Sequence, residues 1–126
     1  MPLHIENKTR EDLPHLPFEE IKNYSIGQGY ELSLVFVSHK TSRTINQRYR
    51  QKDNPTNILS FPLTKTEGEI LIDIKLVKKE ARDLQEKDSS YLKYIFIHGL
   101  LHLKGLSHGS RMEVEERRIM DNFSEK

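Results

Sequence analysis

The stretch "SSYLKYIFIHGLLHLKGLSH", residues 89–108, decides the architecture of this chain, because it is apolar on nearly every helical face and yet carries three imidazoles. Serines able to cap a helix open it, and Gly105 stands where a helix-ending residue with positive φ is favoured. A helix that is apolar all round must be covered on all sides, so residues 89–105 are expected to form the central buried helix. Such a helix needs a sheet and other helices around it.

The flanks supply both. Upstream, "GEILIDI" (68–74) and "TNILSFPL" (56–63) read as strands, the latter closed by Pro62. "YELSLVFVS" (30–38) reads as a strand rich in aromatic and β-branched residues, and "PLHIEN" (2–7) as a short first strand. Pro17 suits the first turn of a helix in which Phe18, Ile21 and Tyr24 share a face until "IGQG" ends it near residue 27. Ser38 can cap a helix whose Ile45 and Tyr49 share a face. Asp73 can start another, with Ile74, Val77, Ala81 and Leu84 at helical spacing. Downstream, "SRME" (110–113) has the capping-box pattern and begins a last helix with Ile119, Met120 and Phe123 turned inward. Strands alternating with helices, then helices alone, predict an α/β (α+β) fold, a small, mainly parallel sheet packed with helices. No repeat, low-complexity tract or linker divides residues 1–126, so a single domain is expected.

Composition narrows the chemistry. A chain of 126 residues can bury a core without covalent staples, and the absence of cysteine excludes disulfide scaffolds, thiolate zinc sites and cysteine nucleophiles. Any metal must be held by nitrogen or oxygen. Lys plus Arg number 20 against 19 Asp plus Glu, so global charge does not announce a nucleic-acid partner. The opening "MPLHIENKTREDLP" lacks the basic start and apolar stretch of a signal peptide, and no later run reaches the roughly 18 apolar residues that span a bilayer. The chain is expected to be cytoplasmic, with no membrane partner.

The histidines of the central stretch carry the sharpest signal. On a helix His98 and His102 lie one turn apart on the same face, with Cβ atoms roughly 5–6 Å apart. Gly105 ends the helix, and the turn "GLS" can swing His108 back toward the same point. Three neutral imidazoles leave one tetrahedral position open, as in catalytic zinc sites. Placing imidazoles in an apolar core costs roughly 1–3 kcal/mol each unless something compensates, and coordination of one divalent ion does so. His4, His15 and His39 have no such arrangement and are expected at the surface.

The histidine spacing is similar to the metzincin peptidase motif, but the residue after the first histidine, the glutamate base of that motif, is here Gly99. Losing a general base removes a route worth roughly 10²–10⁴ in rate, so amide hydrolysis is disfavoured. Phosphodiester cleavage fits better, since a divalent ion held by neutral ligands keeps its full charge for an anionic substrate. Arginine beside the metal would complete the clamp. Between His39 and Lys52 lie Lys40, Arg43, Arg48, Arg50 and Lys52 with no acid among them, either an RNA-binding helix face or a merely solvated one.

Taken together, "INQRYRQKDNPTNILSFP" (45–62) and "HGLLHLKGLSH" (98–108) resemble the YbeY family of metal-dependent endoribonucleases, proteins of bacterial rRNA maturation and ribosome quality control. The resemblance covers roughly residues 45–120. It implies zinc at His98, His102 and His108, a need for Arg50 in cleaving RNA, and an α/β fold with the metal at one end of a cleft. It also implies single-stranded RNA, rRNA above all, as substrate, cut in maturing the 3′ end of small-subunit rRNA, and the ribosome or its proteins as partners. Two positions depart from the family pattern: Ser107 stands where an aspartate is usual, and Glu69 follows Gly68 where an aspartate is common. Two other readings stand beside this one. A metal-stabilised RNA- or ribosome-binding module without turnover would need a closed metal site, and a metal-dependent hydrolase of another substrate would need a different base.

Overall fold

The computed structural model describes residues 2–51 and 56–124. The elements run β1 (Leu3–Asn7), α1 (Phe18–Ile26), β2 (Glu31–Val37), α2 (His39–Arg50), β3 (Ile58–Thr64), β4 (Glu67–Asp73), α3 (Ile74–Asp83), α4 (Asp88–Leu103) and α5 (Ser110–Asn122). The strands form one sheet in the order β1-β2-β4-β3. The β1/β2 and β2/β4 pairs are parallel and β3/β4 is antiparallel, the mainly parallel arrangement expected.

Period-2 alternation in β2 and β4 builds two unequal cores. Leu34 and Phe36 lie opposite Ile70 and Ile72 and point to one face, where all four are fully buried. That face is covered by α4, which packs on α1, α3, α5, β3 and β4. Within α4, Leu92, Phe96, Ile97, Leu100 and Leu101 are completely buried, so the central helix expected of residues 89–105 forms. At roughly 1.5–3 kcal/mol for each large apolar side chain, α4 is the most heavily anchored helix. The other face carries Val35, Val37, Leu59 and Leu71, against which Ile45 of α2 and Phe61 pack.

Several local signals act as expected. Ser38 caps α2 by accepting from the Thr41 amide at 3.2 Å, and Asp73 caps α3 by accepting from the Leu76 amide at 3.0 Å. Gly105 has φ 101°, with Gly105 N donating to His102 O and Leu106 N to Leu101 O, both at 3.0 Å. This is the Schellman reversal, and it needs a residue that enters positive φ without strain.

Four expectations require correction. Strand β3 continues through Pro62 to Thr64, with a register shift between those two residues. It is an edge strand, so the missing proline N–H leaves no ladder bond unmade. The helix carrying "SSYLKY" begins at Asp88 without a side-chain cap, which leaves Ser89 and Ser90 inside its first turn. The "SRME" box does not form, because Gly109 (φ 148°) takes the cap position and Ser110 is already helical. Leu84, expected on the inner face of α3, lies just beyond the helix end and is 59% exposed.

Candidate metal centre

The C-terminal half of α4 and the turn after it bring three imidazoles together. His98 and His102 project from successive turns, and the Gly105 reversal returns the chain so that His108 completes a triangle. The ring centroids are 4.6 Å apart for His98 and His102, and 5.0 Å apart for each pair with His108. One ring nitrogen from each lies within 4.8 Å of the others, and among the described residues this is the group of histidine and acidic side chains that could hold a metal. His98 and His102 are half-buried, whereas His108 is exposed.

The ring orientations are held by neighbours. Glu116 of α5, 6% exposed, accepts from His98 Nδ1 at 3.0 Å, which leaves His98 Nε2 as a bare lone pair turned to the centre. His102 Nε2 faces that lone pair at 3.0 Å, while the His102 ring also hydrogen-bonds the Leu106 backbone. Burial, reinforced by His98 and His108, lowers the His102 pKa below the ordinary histidine value, so its ring is neutral and able to ligate near pH 7. Nitrogen lone pairs converging at this distance repel one another unless a cation or a proton lies between them. The donor set therefore fits a divalent metal such as zinc.

Tyr94, one turn before His98, hydrogen-bonds Glu116. Burial first, and then the Glu116 carboxylate, raises its phenol pKa above the ordinary tyrosine value. Sequence reasoning missed Glu116 and Tyr94. The signal for Glu116 was an acid at the inward position of an apolar stripe, four residues after Met112 and three before Ile119.

The cluster forms one wall of an open cleft of about 670 Å³. Tyr94, Ile95 and the three histidines make this wall, and the cleft is lined as well by residues 56–61 and by Tyr49 and Arg50 at the end of α2. Lys40, Arg43 and Arg48 are exposed along α2 and do not line the cleft. Lys52, the last cation of the basic run, lies outside the described residues.

Gly99 shows why a peptidase base has no place here. A Cβ at this position would lie 2.5 Å from Ile58 Cδ1 and 3.1 Å from Ser60 Oγ, so a side chain after His98 would collide with β3. Gly68 is constrained likewise, since a Cβ there would meet the Tyr30 hydroxyl and the Leu103 side chain. Glu69 alternates to the other sheet face and lies outside the cleft. Ser107 is exposed, and the carboxylate that orients a ring comes from Glu116 instead. His4 and His15 are exposed as expected, but His39 is half-buried and its Nδ1 lies 2.5 Å from Asp73 Oδ2, which corrects its reading as a plain surface residue. That contact joins the starts of α2 and α3, away from the triad.

Among the described residues no helix is long and apolar enough to cross a membrane. A sequence profile described as "Endoribonuclease YbeY" matches residues 4–126. Proteins named endoribonuclease YbeY are 38% identical over 68% of this chain in Francisella philomiragia and 34% identical over 75% of it in Halorhodospira halophila. The chain spans 61% of the first protein's length and 71% of the second's. The solution structure of TM1509 from Thermotoga maritima superimposes with a TM-score of 0.69 at 25% identity, covering 96% of this chain and 88% of that one.

Proposed function

Since this chain belongs to the endoribonuclease YbeY family, we propose that it is a metal-dependent endoribonuclease that cuts single-stranded RNA. Its role is in rRNA processing, at the 3′ end of small-subunit rRNA, and in ribosome quality control in the cytoplasm, with ribosomal RNA or proteins as partners. The observation that carries this reading is the cleft itself, lined by three converging imidazoles and by Arg50.

His98, His102 and His108 hold one zinc ion per chain, with Glu116 fixing the His98 tautomer so that Nε2 is the ligating atom. When bound, a divalent ion in this ring supplies Lewis-acid polarisation of a phosphoryl oxygen. Arg50 offers a planar fork of N–H donors to the scissile phosphate, a geometry lysine lacks. Lys40, Arg43 and Arg48 contact the RNA backbone beyond the cleft and add affinity without specificity. A purely structural metal site fits less well, because His108 is exposed and the described cluster contributes three ligands, not four.

The test is cleavage of a labelled single-stranded RNA by protein stripped with chelator and reloaded separately with zinc, manganese or magnesium. Internal cuts restored by one of these metals, and much slower on a matched duplex, are expected. Tight RNA binding with no turnover under any metal would instead assign the chain to the binding-module reading. A cyclic phosphate at the new ends would identify the RNA 2′-hydroxyl as the attacking group.

A further inference from the structure

Tyr49 leaves most of its ring uncovered. It is 64% exposed, against 42% for Tyr24 and 40% for Tyr94, although it sits one turn after Ile45 on the face that α2 turns toward β3. Its ring is nevertheless positioned, by an edge-to-face contact with Phe61 at a centroid distance of 5.6 Å and an interplanar angle of 66°. A ring held by one neighbour and open elsewhere loses little conformational freedom when a second flat group packs on it. It also lines the same cleft as Arg50, its neighbour in sequence, and the three histidines.

We propose that Tyr49 is a stacking platform for one nucleobase of a single-stranded RNA, seated so that the adjoining phosphate meets Arg50 and the strand runs on toward the histidine centre. The inference rests on the endoribonuclease reading and adds a binding site for a base. Charge selects this wall over the other aromatic wall. Tyr94 lies among Glu86, Glu113 and Glu116, and the Tyr91 hydroxyl donates to Glu80 at 3.3 Å, surroundings that repel a polyanion. Tyr49 is flanked by Arg48 and Arg50. The cleft volume of about 670 Å³ falls within the range of ligand sites, roughly 300–1,000 Å³. Every base has a π-face, so the platform tolerates any sequence, but a base already stacked in a duplex is not free to use it. Tyr49 thereby contributes to choosing single strands over duplexes.

The experiment measures KM and kcat of the zinc-loaded protein on an eight-nucleotide single-stranded RNA, intact or with one abasic nucleotide at each position in turn. At one position, loss of the base should raise KM about 5- to 150-fold with wild-type protein, the range of a single stacked base. Tyr49→Ala should raise KM on the intact strand by a similar factor and be insensitive to that abasic substitution. Tyr49→Phe should behave as wild type, while Tyr49→Leu, which keeps apolar bulk without a ring, should resemble Tyr49→Ala. Normal cleavage by wild-type protein with no abasic effect that depends on Tyr49 would overturn the platform and leave the endoribonuclease reading standing. If wild-type protein cuts no single strand under any metal, that reading fails and the platform falls with it.

Discussion

The two helices that line the cleft, α4 and α2, build their walls differently. The α4 wall carries His98 and His102 on a helix whose Ile97, Leu100 and Leu101 are fully buried, with a buried carboxylate behind the first ring. The α2 wall presents Tyr49 and Arg50 to solvent, on a helix whose Ile45 joins only the smaller core. The contrast teaches which property each wall can control. A metal site needs ligands fixed within a few tenths of an ångström, which a core-anchored helix provides. A polymeric substrate needs exposed donors and rings that do not disturb the fold when it leaves. Changes on the α4 wall should therefore register in metal affinity and stability, and changes on the α2 wall in RNA binding and turnover.

The sharpest attempt to break this division is Arg50→Lys. Cleavage should fall about 100-fold despite the retained charge, because one planar bidentate donor to the reacting phosphate is lost. Metal content and melting temperature should stay at wild-type values. Near-normal cleavage would move the phosphate-binding role to Arg48 or Arg43. Next in size is Glu116→Gln, on the other wall, which should weaken zinc affinity about 10- to 100-fold by loosening the His98 tautomer. RNA affinity measured on the metal-free protein should be unchanged, and a selective loss there would blur the two walls into one.

Smaller still is the combined replacement of Lys40, Arg43 and Arg48 by Gln. Each backbone contact on a single strand contributes roughly −0.7 to the log-log salt slope, so the slope should flatten by about 2. An unchanged slope would return this face of α2 to a solvated surface. The smallest effect concerns pH. His102 has its pKa lowered by burial and by the neighbouring imidazoles, so below the ordinary value of 6.5 the unfolded chain binds a proton that the metal-free fold resists. Stability of the metal-free protein should therefore be fully present above pH 6.5 and decline as pH falls beneath it. Urea titrations at pH 7.5 and pH 5.5 should show the lower midpoint at pH 5.5, and equal midpoints would mean that His102 is freely solvated.

What could be read ahead from the sequence follows the range over which each signal acts. The triad was legible because its ligands and the turn that joins them fall within residues 98–108, and Gly105 alone reverses the chain. The caps at Ser38 and Asp73 were legible for the same reason, since each acts on an amide three residues on. Pro62 misled because edge position is a property of the whole sheet: among the described residues β3 has no neighbour on its outer side. The "SRME" box misled because Gly109, free to adopt φ 148°, started the helix one residue earlier than its serine could cap it. Glu116 reaches His98 only because α5 lies across α4, and Asp73 reaches His39 across 34 residues of sequence. The stripe of α5 marks Glu116 as an inward acid, but nothing near either histidine in sequence names its partner, so the pairings were hidden while the histidines themselves were plain.

If the α4 wall is a metal site, the number of ions each chain retains reports it. Protein stripped with chelator, given excess zinc and desalted should show one zinc per chain by native mass spectrometry in the wild type and none in His102→Ala. A wild-type chain that retains no zinc, or a His102→Ala chain that still retains one, would contradict the account.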